Sequence, residues 1–374
     1  MSLPVADAAF DYAVIGAGMA GASLAAELAA MAPAGCRIVL LEAEERPGHH
    51  STGRSAAFWE ACYGGPAIVP LTLASGKYLR DHGFLRPRGA LYIGQEQDTG
   101  AMERFERRFA GTGASFRRLA RAELLAHIPG LRDPWCHAIW QPDCADIDVA
   151  ALHGHYLSAA ARSGVTLLTR FRLMRLHRGS DGWTLLADDG RTVQAGIVIN
   201  AAGAWADGIA DLAGLPRKGI QPLRRTVAQV RTDPAATAEL PLVLDINGGF
   251  YFRPEAGRLW LSPHDETPCA PCDAAPEELD VALAIARLEQ VVDWRVDAVE
   301  RRWAGLRSFA PDRLPVYGPD AGDRTFVWFA GQGGYGIQTA PAAARMLAEE
   351  LTETARSAMT ERVDPQPYRA SRFG

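Results

Sequence analysis

Three glycines and an acid carry the first chemistry legible in this chain. Gly16, Gly18 and Gly21 form G-x-G-x-x-G within Val14-Ile15-Gly16-Ala17-Gly18-Met19-Ala20-Gly21, and Glu42 follows about twenty residues later. The first glycine allows a tight turn, the second lets backbone approach a diphosphate, and the third lets a helix pack closely on a strand. A helix opening at such a turn points free N–H groups and partial positive charge at phosphate. Glu42 can accept a hydrogen bond from a ribose 2′-hydroxyl, which favours FAD or NAD over NADP. Gly16, Gly18, Met19, Ala20, Gly21, Glu42 and Ala43 are therefore expected against a dinucleotide.

The elements that must hold these residues are readable beside them. Tyr12 to Ile15 is a short apolar run, as in a buried parallel strand. Ala20 to Met31 is a helix with Leu24, Leu28 and Met31 on one face, and Arg37 to Glu42 is the second strand. Arg46 to Ala57 is rich in small and hydroxyl residues, which suits backbone lying against a ligand, with Ser51, Thr52 and Ser55 as donors and Ala56 and Ala57 beside them. The strand Ile197 to Asn200 runs into Ala202, Gly203 and Trp205, a second backbone contact. A third lies at Gly331-Gln332-Gly333-Gly334-Tyr335-Gly336, between the strand Phe326 to Ala330 and the helix Ile337 to Leu351. A helix N-terminus there can stabilise negative charge. Gly333, Gly334, Tyr335, Gly336, Ile337 and Gln338 join the expected cofactor set.

Between these segments the periodicity predicts helices over 66–80, 98–110 and 121–127, and a helix over 149–162 capped by Asp148. A β-meander follows over 164–200, then a hairpin from Phe250-Tyr251-Phe252 to Leu259-Trp260-Leu261. A helix over 276–292 shows Leu279, Leu283, Ala286 and Gln290 at helical spacing, and residues past about 355 read as a loose tail.

At 374 residues two structural units are expected, and 48% hydrophobic with 22% charged residues is an ordinary globular composition. The net charge of −5 gives no reason to expect nucleic acid as a partner. Six scattered cysteines do not make a disulfide framework, and Cys269-Ala-Pro-Cys272 has no second pair. His49, His50, His153 and His155 lack metal-type spacing, so no metal site is expected. There is no basic leader and no apolar run long enough to span a bilayer, which points to a cytoplasmic setting, with attachment at the periphery of the inner membrane left open.

Three cofactor-type segments, at the start, middle and end, match the layout of the glutathione-reductase-like flavoproteins. The chain resembles the D-amino-acid oxidase (DAO) family, and within it the D-arginine dehydrogenase-like D-amino-acid dehydrogenases. The resemblance rests on VIGAGMAGAS (14–23), HSTGRSAA (50–57), ADIDVAALH (145–153), INAAGAWAD (199–207), QPLRR (221–225), WAGLRSF (303–309) and GQGGYGIQT (331–339), nearly the whole chain. It implies an α/β fold: a Rossmann-type FAD-binding domain plus a smaller α+β substrate domain with a mainly antiparallel sheet. The domains are expected at 1–82, 146–217 and 300–374 for FAD, and at 83–145 and 218–299 for substrate. Family flavins that are covalently bound use a cysteine aligning near Gly305; none lies there, so noncovalent FAD is expected.

The resemblance also implies the activity: oxidative deamination of an amino acid, of D configuration by analogy with the family, by hydride transfer from Cα to flavin N5. The imino acid formed then hydrolyses to a 2-oxo acid and ammonia. The family's carboxylate clamp maps onto Arg307 and Tyr251, with Arg225 added from the QPLRR strand because alternation lets only one of Arg224 and Arg225 face the pocket. Tyr63 resembles a lid tyrosine. Two departures redirect the substrate: Pro87-Arg88-Gly89-Ala90 offers no carboxylate for a guanidinium, and Phe58-Trp59-Glu60 is bulky, so a neutral or aromatic side chain is expected. Family oxidases use a lysine near N5. Lys77 and Lys218 lie in a helix and a linker, which implies a dehydrogenase passing electrons to a quinone or another acceptor. The same clamp would also suit a secondary amine such as sarcosine or proline, or a 2-hydroxy acid.

Overall fold

The computed structural model describes residues 9–373. The expectation about a leader concerns residues 1–8, which lie outside the described ones. The opening strand Ala9–Ile15 sits mid-sheet, parallel to Ile38–Leu41 on one side and to Thr192–Asn200 on the other. Thr166–Leu168 and Phe326–Ala330 extend this parallel core at its two ends. Each central strand is apolar on both faces because helices cover one, while meander residues such as Leu176 and Trp183, with the short helix Ala206–Leu212, cover the other. Met19–Met31 is accordingly buried nearly all round rather than along one stripe, packed between Val149–Arg162 and Gly336–Leu351. The meander Leu173–Gly179, Gly182–Ala187 and Thr192–Asn200, with Val316–Pro319 antiparallel to Phe326–Ala330, completes an eight-stranded sheet.

A second sheet of ten strands is antiparallel except where Leu242–Asp245 runs parallel to Ala90–Gln95. Its spine is the ladder between Gln221–Asp233 and Arg295–Phe309. The hairpin Tyr251–Glu255 and Arg258–Ser262 lies beside it, turning at Ala256-Gly257. This is the expected fold class, a parallel nucleotide-type sheet with a mainly antiparallel second sheet. Among the described residues no helix is long and apolar enough to cross a membrane.

Two local expectations are corrected. On the helix Glu278–Val291 the buried residues are Val281, Ala284, Leu288 and Val291, while Leu279 is 77% exposed. Two apolar stripes share that helix, and the one with β-branched valines faces the sheet. The chain past 355 is not loose: Tyr368 and Val363 are buried, Tyr368 packs at a tilt against Tyr317 and donates to the Ala67 carbonyl, and Arg372 bonds Asp312. Short 3₁₀ turns pinned by single aromatic and arginine anchors leave no periodic signature.

Candidate active site

The glycine turn is built as its spacing requires. Gly16 has φ +99°, and a Cβ there would lie 2.6 Å from the Ala201 carbonyl oxygen. A Cβ on Gly21 would lie 1.8 Å from the Gly16 oxygen, so any side chain would push the helix off the strand. Glu42 is buried, and its carboxylate accepts from Ala17 N (3.0 Å) and Glu44 N (2.9 Å). Oxygen lone pairs remain for a further donor in the cleft that Glu42 lines.

Thr52 Oγ1 accepts from Met19 N (2.9 Å), which leaves its hydroxyl proton for a ligand at the helix start. Ser51 differs from expectation: its hydroxyl donates to the Leu306 carbonyl (2.7 Å) and so locks this loop to the second sheet. One residue not singled out from the sequence holds the turn from below. His153 donates from Nε2 to the Ala17 carbonyl (2.9 Å), and burial lowers its pKa, so it serves as a neutral donor. Its signal was available: it follows the Asp148 cap on a helix that packs against Met19–Met31.

A single cleft continues from this turn to the second sheet, lined by Gly16, Gly18, Met19, Ala20, Glu42, Ala43, Ser51, Thr52, Ser55 and Ala56, then by Ala202, Gly203, Trp205, Gly333, Gly334, Gly336 and Ile337. Gly21, Ala57, Tyr335 and Gln338 stand behind that wall. Tyr335 is buried, with its hydroxyl on the Arg313 carbonyl. Gln338 is buried too, accepting from Glu60 N and donating to Thr72 Oγ1 and the Tyr63 carbonyl.

At its far end the cleft meets Arg225, Tyr251 and Arg307. The ladder explains their meeting. Arg225 opposes Gly305 and Leu223 opposes Arg307, so the two arginines are diagonal neighbours on one face. The same strand ends by pairing Ser308 with Gly333, which brings the glycine-rich loop to Arg307. A Cβ on Gly334 would lie 3.0 Å from Arg307 Nη1 and 2.5 Å from Tyr63 Oη, so only glycine permits this approach. Arg307 Nη1 donates to the Tyr63 phenol oxygen (2.6 Å). Tyr63 is in no wall of the cleft itself, yet it packs edge-on to Phe58, whose ring in turn meets Tyr251.

Arg225 is 3% exposed. Its Nε donates to the Asp265 carbonyl (2.6 Å) and Nη2 reaches Glu266 (3.4 Å), while the buried Nη1 has no partner among the described residues. Burial and the nearby Arg307 charge lower its pKa to about 10, which leaves it charged at neutral pH. Arg224 points away, paired with Glu277 and Asp280, as strand alternation demands. His264, which no motif marks, stands edge-on to Tyr251 (5.9 Å) with Nδ1 against the Gly248 carbonyl. Burial and the charges of Arg225 and Arg307 push its pKa down to about 3. The region is therefore cationic, with a neutral imidazole beside it, and an anionic group would satisfy the orphan Nη1.

Glu60 is fully buried, its carboxylate bonded by Tyr92 Oη (2.6 Å) and Cys62 N (2.8 Å). Burial raises its pKa to about 7. It lines no part of the cleft, so it does not meet a substrate cation. Lys218 pairs with Asp320 in the core and Lys77 with Asp81 at the surface. Neither borders the cleft.

Comparison with known proteins now bears on this geometry. Residues 11–350 match the family described as DAO, FAD dependent oxidoreductase. The tRNA 5-methylaminomethyl-2-thiouridine biosynthesis bifunctional protein MnmC of Burkholderia multivorans is 29% identical over 346 residues, 84% of this chain and 49% of that protein. The chain thus spans about half the length of that relative. FAD-dependent oxidoreductase domain-containing protein 1 of Bos taurus is 23% identical over 97% of this chain and 84% of its own. Among solved structures, glycine oxidase from Geobacillus kaustophilus superposes with a TM-score of 0.83 at 24% identity, covering 98% of this chain and 99% of that one. L-proline dehydrogenase from P. horikoshii gives 0.84 at 21%, covering 99% and 98%. At these identities the structural likeness speaks for the fold.

Proposed function

Since the chain belongs to the DAO family of FAD dependent oxidoreductases, we propose that it oxidises a small α-amino acid, of D configuration and with a neutral or aromatic side chain. One observation carries this reading: the unpartnered, buried Arg225 Nη1 lies diagonal to Arg307, which with Tyr63 packs against the glycine-rich loop. Two guanidiniums and a phenol are what a carboxylate needs to be fixed in both position and orientation.

The residues present fit noncovalent FAD. The Gly16 turn and the Thr52 hydroxyl would hold the diphosphate and Glu42 a ribose, and no cysteine is among the described residues that line the cleft. When bound, the flavin supplies a hydride acceptor at N5. The chain's own part is positioning. Arg225 and Arg307 would hold the carboxylate, and Tyr251, backed by Phe58, would border the side-chain position with apolar surface. Burying a charged side chain there would be costly, which argues for a neutral one. Backbone N–H groups at Gly333–Gly336 and the start of the helix Gly336–Leu351 favour negative charge developing nearby. No side chain is required to take the Cα proton, and His264, neutral and turned to the Gly248 carbonyl, is not placed as a base. The lack of a cleft lysine among the described residues supports transfer of electrons to a quinone or other acceptor rather than to oxygen.

A second reading takes a secondary amine, as the names of the proline dehydrogenase and of an iminodiacetate oxidase with TM-score 0.77 suggest. Product analysis separates the two. A primary amino acid yields one ammonia per 2-oxo acid, whereas an N-substituted glycine yields glyoxylate and a primary amine. Turnover without ammonia would remove the first reading.

A further inference from the structure

Far from the cleft, the strand Trp135–Gln141 breaks its own alternation. Gly94 pairs with His137 but the next residue, Gln95, pairs with Trp135, so Cys136 is an extra residue in the ladder. The burial pattern shows the result: Trp135 and Ala138 face inward, and the consecutive Cys136 and His137 both face outward. In a regular strand two adjacent residues point to opposite faces; a bulge places both on one.

Glu96, at the start of the short 3₁₀ turn that ends the neighbouring strand, meets the pair. Its Oε2 lies 3.6 Å from Cys136 Sγ and 3.5 Å from His137 Nε2, and the three ligand atoms all lie within 4.8 Å of one another. A tetrahedral zinc bound by sulfur, nitrogen and oxygen at ordinary bond lengths separates its ligands by roughly 3.3–3.6 Å. Asp98, whose oxygens are held by Gln95 N and Asn247 Nδ2, adds negative charge nearby without competing as a ligand. Thr99 Oγ1 lies 3.4 Å from His137 Nε2. That contact is long for a hydrogen bond, so a metal would displace little.

We infer that Glu96, Cys136 and His137 form a three-residue site for a divalent borderline metal, zinc above all, with water as the fourth ligand. The mixed thiolate, imidazole and carboxylate set selects zinc over magnesium or calcium. The other cluster of this kind, His49, His50 and Asp273, is a weaker host because Arg54 already occupies Asp273 and Glu44 bonds His50. Bound metal would fasten the turn at Glu96 to the strand at Cys136, bracing that edge of the second sheet.

The experiment uses the whole flavoprotein, dialysed first against zinc and then against metal-free buffer, with metal counted by plasma mass spectrometry. The expected result is one zinc per chain in the wild type, with none retained by Cys136→Ser and less by Glu96→Gln. Cobalt(II) in place of zinc should give a thiolate-to-cobalt charge-transfer band that Cys136→Ser abolishes and His49→Ala leaves intact. Flavin absorbance at normal stoichiometry in each variant checks that it has folded. A wild type that retains no zinc, or a zinc that survives Cys136→Ser and disappears with His49→Ala, would overturn the assignment.

Discussion

Arg307 is the residue on which the chemical account turns, because it touches both Tyr63 and the glycine loop. Arg307→Met should lower kcat/KM by about a hundredfold, or ~3 kcal/mol, the scale of a lost charge-assisted hydrogen bond in a buried site. Tyr63→Phe removes one neutral donor from the same pair and should cost about tenfold. Steady-state kinetics on a reducing substrate checks both, and an Arg307→Met enzyme of normal efficiency would refute the clamp. His264 gives a separate test. Its pKa is pushed to about 3 by burial and two arginines, so it stays neutral through the working range. The rise of activity with pH should then belong to the substrate ammonium losing its proton, and His264→Gln should leave the position of that limb unchanged. A limb that vanished in this variant would make the imidazole a participant. These residues were unequally legible. Arg307, Arg225 and Tyr251 could be placed from motif resemblance and strand alternation, whereas His153 meets Ala17 across 136 residues and His264 meets Gly248 and Tyr251 through the folding of the hairpin between them.

The turn from Glu60 to Tyr63 shows how an element carries the site. Gln338, in the first turn of the closing helix, accepts from Glu60 N and donates to the Tyr63 carbonyl, while the Glu60 carboxylate holds Cys62 N. Tyr63 is thereby registered to the same helix whose N-terminus faces the cleft. Glu60 is also a stability switch with a definite sign. Its folded pKa, about 7, lies above the ordinary carboxylate value of 4.5, so the folded state binds the extra proton. Its contribution is full below about pH 4.5 and is lost as pH rises through 7. The swing is about 3 kcal/mol. Glu60→Gln should therefore gain stability relative to wild type between pH 5 and pH 8 in urea unfolding; a constant difference would show that the carboxyl ionises normally. Element types were largely legible because strand and helix periods are local. The helix Glu278–Val291 was read on its wrong face because two apolar stripes coexist there, and only the sheet beneath it chooses.

Across the whole molecule, one ladder joins the two sheets' functions. Gln221–Asp233 and Arg295–Phe309 carry the arginines, and the latter strand hands over to the glycine loop that opens the helix over the parallel sheet. The chain's end belongs to this construction. Tyr368 lies under Ala67 and against Tyr317, so Tyr368→Ala should cost about 3–5 kcal/mol in denaturant unfolding, as for a buried aromatic, whereas a loose tail would leave the midpoint unchanged. Sequence could not show this packing, since the contact spans some 300 residues and uses isolated anchors. The resemblance conveyed the family; the packing of Phe58 and Tyr63, from one segment, near Tyr251, from another, is a tertiary contact that no local pattern shows. The most direct test of the account is anaerobic mixing of the flavoprotein with a panel of D- and L-amino acids, sarcosine, proline and 2-hydroxy acids, followed by flavin absorbance. Rapid bleaching by D-amino acids with neutral or aromatic side chains, and slow bleaching by D-arginine, is the predicted result. A flavin reduced only by hydroxy acids, or by no amino acid at all, would contradict it.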